Sequence, residues 1–379
     1  MTASNIRRTY RSEACYKNEN VMAASNRQPF IIKEETVMKI EKIHLDDMKR
    51  CYCASHMIIN GKPYALLASE DPQTCCYAYS GEGFRNRETV WDDRGGCMSI
   101  IQIPGKEDEF LAVNEFYLKV SPSQAKLVHG KRNPDGTWTV KDFLSLPFLH
   151  RFDIYNVNGV NYLICATIAL DKFNKEDWSR PGQIYVARLT DDFSQPVELE
   201  KIADGMFRNH GCSRALHNGK ICGYFGSDQG VVRVTPPYDG RWHVEKIFDA
   251  HVGEIAFGDL DGDGVDEMMT IEPFHGDTIK IYRLVNGKYE EVFKYDNPID
   301  FAHSLVFDTL AGKKTFLAGI RRVDAELFAV QYVDGKYEVT VIDKGFGPSN
   351  LDVIHAEDAD YIVAANHTGN EAALYRITD

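Results

Sequence analysis

The sequence predicts an all-β fold, a seven-bladed β-propeller. Three observations predict it. Short strand-like runs are separated by G, N-G, D-G and P-D-G turns. Long amphipathic helical patterns are absent. A unit of four strand-like runs recurs seven times at a spacing of about 50 residues, the period of a propeller blade.

The repeat is clearest in three segments that align without gaps. They begin at His150, His210 and His303, and each runs through a strand to a glycine nine residues on, at Gly159, Gly219 and Gly312. A second apolar strand follows each glycine, as in K-I-C-G-Y-F-G-S from Lys220. Four further units start at Tyr52, Gly96, His251 and Asn350, with Gly61, Gly105, a longer turn and Ala359 in the glycine's place. Two more strand-like runs complete each unit, such as T-I-K-I-Y-R-L from Thr278 and Y-E-E-V-F-K-Y from Tyr289. The seventh unit ends at Asp379 after three strands. Residues 37–43, V-M-K-I-E-K-I, resemble the fourth strands of the other units, so they are expected to pair with the last blade and close the ring. Residues 1–36 are polar and aperiodic and read as a disordered extension ahead of one propeller spanning 37–379.

Composition narrows the function. The chain of 379 residues is 44% hydrophobic and 26% charged, with a net charge of −13. That balance argues against nucleic acid and an anionic membrane surface as partners. No apolar run approaches the roughly 20 residues of a membrane span, and the N-terminus lacks a signal-peptide core. Nine cysteines without C-x-x-C pairs read as reduced thiols, which points to a cytoplasmic protein.

Propeller geometry sorts the polar residues onto two faces. First strands line the central channel, and their leading residues share one mouth with the loops that leave the second strands. His150, His210, His251 and His303 are expected as an arc of metal ligands around the axis. The loops on the same mouth carry Glu70, Asp71, Glu115, Lys172, Asp228, His275, Arg321, Arg322 and His367. Arg208 lies just ahead of His210, in G-M-F-R-N-H-G. The insertion at 171–182 could cover the mouth and stack Trp178 or Phe173 on a sugar ring. His56 and His355 fall inside first strands; His44, His129, His217 and His243 read as surface residues.

Imidazoles aimed at one axis suit Zn, Mn, Fe or Ni, and three with an open position make a catalytic centre. Such a metal polarises a carbonyl or carboxylate, a nearby base removes the adjacent proton, and an acid assists the departing oxygen. The expected chemistry is β-elimination, a carbon–oxygen lyase reaction, or isomerisation of a sugar, keto-sugar or glycoside. His275, Arg322, Arg208, His367 and Glu115 are the candidate catalytic groups, and Trp178, Lys172, Arg321 and Asp228 the candidate substrate-binding groups. The alternatives are a propeller that binds a ligand or protein without turnover, and a metal-free glycoside hydrolase using Glu70 and Glu115.

The opposite face receives D-L-D-G-D-G-V-D-E from Asp259. Asp259, Asp261 and Asp263 hold positions 1, 3 and 5 of an EF-hand-like loop, Gly264 is the turn glycine, and Val265 can offer its carbonyl. Asp266 or Glu267 would close the shell around a structural calcium ion. The loop resembles the calcium loops of FG-GAP propeller blades, in which an Asp shortly after the glycine completes the site. Together with the histidine-led strands, it is similar to the propeller domain of aldosulose dehydratases, metal-dependent sugar lyases, although this chain lacks their additional β-domains. The architecture also resembles propeller-type pectate-fragment lyases. These resemblances imply a metal on histidines near the axis and a carbohydrate ligand.

Overall fold

The computed structural model describes residues 38–118 and 122–379. The predicted extension at 1–36 lies outside them. Seven four-stranded antiparallel sheets follow one another around a channel, as the repeat predicts. Blades 1 to 6 span 51–94, 100–145, 149–206, 211–248, 254–294 and 300–343. Blade 7 combines Pro348–His355, Asp360–Asn366 and Glu371–Thr378 with the N-terminal strand Lys39–Asp47. That strand pairs antiparallel with Glu371–Thr378, from Lys39 opposite Thr378 to Asp47 opposite Glu371. The chain therefore closes its own ring and leaves no unpaired edge between first and last blade.

Local sequence explains each layer of a blade. First strands of neighbouring blades pack side by side around the channel. Second strands carry a continuous buried run, Leu163–Thr167 in Val160–Thr167 and Thr315–Ile320 in Lys313–Arg322, because both faces pack on adjacent blades. Outer strands such as Lys288–Lys294 are mostly exposed and carry the charge. The apolar core is correspondingly inter-blade: one cluster joins Tyr52, Leu111, Phe152 and Leu163, another Ile271, Phe316 and Phe328. Each such side chain contributes about 1.5–3 kcal/mol by leaving water.

The gapless alignment has a conformational cause. Asn158–Gly159 and Asn218–Gly219 both have positive φ at the two central residues of the turn, 52° and 81°, then 51° and 72°. This two-residue turn matches strand twist. Ala311–Gly312 adopts the same geometry at 47° and 70°. Among the described residues no helix is long and apolar enough to cross a membrane.

Two outcomes test this architecture. Deleting residues 38–47 strips a strand whose Ile40, Ile43 and Leu45 pack on blade 7. It should cost about 3 kcal/mol or more and promote aggregation, read by thermal melting and light scattering. At the channel end away from the histidines, His56 Nδ1 lies 2.8 Å from Asp352 Oδ2. The Asp352 charge and hydrogen bond raise the His56 pKa against the opposing effect of burial. The stability this pair contributes is fully present below the unfolded histidine value of about 6.5 and is lost as pH rises from there through the higher folded-state value. Melts of His56→Gln across this range should lose that slope.

Candidate functional site

Four first strands begin with a bulge, and the bulged residues build the site. Register shifts fall at Tyr52, His150, His303 and Ser349. A bulge leaves one residue out of the ladder and re-aims its side chain. His210 directly precedes its strand in blade 4, its N–H bonded to Gly226 O at 3.1 Å. Gly253 does the same in blade 5, bonded to Ile271 O at 2.8 Å. The position equivalent to His210 is therefore Gly253, two residues beyond His251.

That offset corrects the expected arc. His251 is exposed and lies away from the cavity that holds the other three histidines. His275 takes its place, from the loop after the second strand of blade 5. The ligand-capable nitrogens of His210, His275 and His303 lie within 4.8 Å of one another. Gly253 makes this possible: a Cβ there would fall 2.6 Å from Phe274 Cα and 3.1 Å from His275 N. His275 itself adopts left-handed backbone geometry, φ 49°, and stacks on Phe274 at 3.8 Å and on His303 at 4.9 Å.

The hydrogen bonds fix which nitrogen faces the cavity. His210 Nδ1 donates to Gly253 O at 2.8 Å, and His303 Nδ1 donates to Ser349 O at 2.6 Å. Each acceptor is the equivalent carbonyl of the next blade. Nε2 of both rings is thereby left with its lone pair. His210 Nε2 and His275 Nε2 are buried without a partner, and His303 Nε2 has Tyr52 Oη at 3.3 Å. His150 stands beside the trio, its ring 4.6 Å from His210 and its Nε2 3.5 Å from Tyr52 Oη. Burial, reinforced by neighbouring positive groups, holds all four imidazoles well below the ordinary histidine range, with His210 at about 3. They are neutral donors, the state a divalent metal requires.

These groups line a cavity of about 350 Å³, joined by Arg50, Glu70, Asp71, Arg321, Arg322 and His367 and by the rings of Phe116, Phe274 and Phe301. His367 Nε2 donates to Glu70 Oε1 at 2.7 Å. Burial would raise the Glu70 carboxyl, but the His367 hydrogen bond and the Arg50 and Arg321 charges outweigh it and hold it low. Beneath His210, Arg151 Nη2 pairs with buried Glu254 Oε2 at 3.3 Å. Burial pushes Glu254 up to about 7 against the pull of Arg151.

Other expected site residues lie elsewhere. Glu115 pairs with Lys126 at 3.0 Å and does not line the cavity. Lys172, Trp178, Arg208 and Asp228 form their own cluster behind Phe274. Lys172 Nζ sits 3.2 Å over the Trp178 ring, Trp178 meets Phe274 at 5.3 Å, and Arg208 pairs with Asp228 at 3.2 Å. With Lys172 across it, that Trp178 face is not open to a sugar, and Phe173 points to solvent at 95% exposure. Sequence reasoning passed over Tyr52 as a site residue, although it holds the same leading position as the histidines. It also passed over Arg50 and the Arg151–Glu254 pair.

In the acidic loop the converging carboxylates are Asp259, Asp261 and Glu267. Asp263 and Val265 are exposed, with Val265 N donating to Asp263 Oδ1 at 2.8 Å, and Asp266 stands outside the trio. Cations of the chain already meet it: Arg283 pairs with Asp261 and Glu267, and Lys314 with Asp259 at 2.6 Å. Arg283→Ala should therefore cost about 3 kcal/mol, read as a lower denaturant midpoint, by leaving fully buried Glu267 unpaired.

No family model matches the chain, and no curated protein matches it. Solved structures match over most of its length. Saccharomyces cerevisiae Sqt1 aligns with a TM-score of 0.53 and 11% identity, covering 86% of this chain and 83% of that one. The Dos1 propeller aligns with a TM-score of 0.52 and 7% identity, covering 83% and 75%. At such identities the likeness establishes the propeller fold alone.

Proposed function

We propose that this propeller binds a small, oxygen-rich, carbohydrate-like molecule at a divalent metal held by His210, His275 and His303, and acts on it as a carbon–oxygen lyase or isomerase. One observation supports this most. Two of the three rings are locked through Nδ1 to backbone carbonyls, and the Nε2 atoms of His210 and His275 are buried with nothing to bond. Buried polar atoms without partners are costly, and backbone-anchored imidazoles are a common way to orient metal ligands. The neutral three-nitrogen donor set fits Zn, Mn, Fe or Ni.

Bound there, the metal would supply Lewis-acid polarisation of a carbonyl or carboxylate oxygen. The chain supplies the rest. Tyr52 Oη and His150 Nε2 face the same volume and can hold or move a proton on the ligand. Phe116, Phe274 and Phe301 wall out water. The metal-free hydrolase reading loses its pair of carboxylates, because Glu115 is outside the cavity and Arg50 ties up Glu70. That same tie favours a second reading, a propeller that holds its ligand without turnover. Arg50 also pairs with Asp71, so both carboxylates of the wall are neutralised.

Metal analysis of the purified chain should find about one transition metal per molecule. His210→Ala and His303→Ala should lose it while remaining folded. Keto-sugars and glycosides incubated with the loaded protein should yield unsaturated products detected by absorbance. A metal-free chain indifferent to chelators would overturn the metal reading. A metal-loaded chain that binds sugars without converting them would select the second reading.

A further inference from the structure

One of the three clustered imidazoles lacks the anchor that the other two share. His210 and His303 are each held through Nδ1 by a backbone carbonyl. His275 has no ring hydrogen bond among the described residues, and its Nε2 is buried without a partner. Ring contacts alone orient it. It stacks on Phe274 at 3.8 Å, on His303 at 4.9 Å, and lies tilted against Phe301 at 4.3 Å. Phe301 and His303 stand on the first strand of blade 6, Asp300–Leu310. Phe274 stands on the same loop as His275 and shares its movements. It is a fixed support only if something outside that loop holds it.

The insertion at 171–182 supplies that hold. Its Trp178 meets Phe274 at 5.3 Å, the two rings inclined by 64°. The insertion is tied at its base by a bridge between Ala169 and Pro181, and Leu170 N donates to Arg180 O at 3.3 Å. Inside it, the Asp177 carboxylate accepts from Phe173 N and Ser179 N, each at 2.9 Å, and so fixes the backbone on either side of Trp178. Lys172 Nζ lies 3.2 Å over the Trp178 ring and is buried without a hydrogen-bond partner. The ring face is then the contact that compensates its charge. Arg208, paired with Asp228, closes the far side, with its guanidinium 5.7 Å from the Trp178 ring and 6.0 Å from the Phe274 ring. Blades 3, 4 and 5 therefore converge on Phe274.

We infer that Trp178, clamped by Lys172, is a positioning residue for His275 and acts on it through Phe274. The insertion sets the direction of the one imidazole that no hydrogen bond orients. This rests on the reading of the three histidines as metal ligands, and it adds a residue outside the cavity that governs one of them. Outer partners of metal ligands are worth about 10–100-fold in metal affinity, and here the partner is an aromatic stack instead of a carbonyl.

Titration of the metal-depleted chain with Co²⁺, followed by visible absorption, tests it. Trp178→Ala should bind Co²⁺ about 10–100-fold more weakly and with an altered band, because a reoriented nitrogen changes the ligand field. Trp178→Phe should recover most of the affinity, since a ring still meets Phe274. Lys175→Ala, in the exposed part of the same insertion, should change neither affinity nor band. If Trp178→Ala does not fold, Lys172→Met decides, with a smaller loss in the same direction. Full affinity with an unchanged band in Trp178→Ala, or a loss matched by Lys175→Ala, would overturn the assignment. Ring signals in the ¹⁵N spectrum of the metal-free chain separate this inference from the metal reading. Those of His275 should shift in Trp178→Ala more than those of His303, which Ser349 anchors. A chain that takes no Co²⁺ yet shows that shift sinks the metal reading and leaves the positioning role. A chain that takes Co²⁺ with affinity and His275 signals unmoved by Trp178→Ala sinks the positioning role alone.

Discussion

The site depends on one contact repeated between blades: an imidazole Nδ1–H donating to the leading carbonyl of the next first strand. His210 makes it to Gly253 and His303 makes it to Ser349. The bond settles tautomer and ring orientation together, so Nε2 points at the axis without any help from a ligand. It also ties each histidine to the packing of two blades. Ser349 Oγ lies within 3.1–3.2 Å of the carbonyls of Cys51, Tyr52 and Ala365, which links the acceptor strand to blade 1. Ring closure and site geometry are therefore one construction. A propeller free to splay at its seam would loosen the carbonyl that orients His303.

The fold was legible because its signals are local and repeated. An N-G turn that ends nine residues after a leading residue, as at Gly61, Gly159 and Gly219, reports a two-residue hairpin by its own backbone demands, and seven four-strand units report a ring. The missing fourth strand of blade 7 was legible for the same reason: a unit with three strands needs a fourth from somewhere. The site was legible only where the repeat is regular. At His150, His210 and His303 it holds, and those side chains meet. In blade 5 the longer turn hides a two-residue offset, so His251 appeared in register while Gly253 occupies the position. A glycine carries no chemistry to notice, yet its missing side chain lets His275 reach the axis. Tyr52 went unremarked for the opposite reason. Its position was read correctly, but a tyrosine among histidines does not announce a shared role. The insertion at 171–182 was read as a stacking surface, whereas Lys172 lies over the Trp178 ring; one-dimensional patterns do not tell which face of a ring its own chain will cover.

The two clusters able to hold a metal show how charge accounting separates a scaffold from a site. Asp259, Asp261 and Glu267 would be intolerable together if unpaired, and the chain answers with Lys314 and Arg283. Those cations meet much of the electrostatic demand, although Asp259 Oδ1 is itself buried without a partner among the described residues, so an ion arriving there competes with cations already bonded. The histidine cluster is left in the opposite condition. Its rings are neutral and need no counter-charge, but the Nε2 lone pairs of His210 and His275 are buried without a partner among the described residues. Desolvated lone pairs gathered in one cavity are a cost that folding alone does not repay. The divalent cation proposed above, taken by the imidazoles, would relieve it.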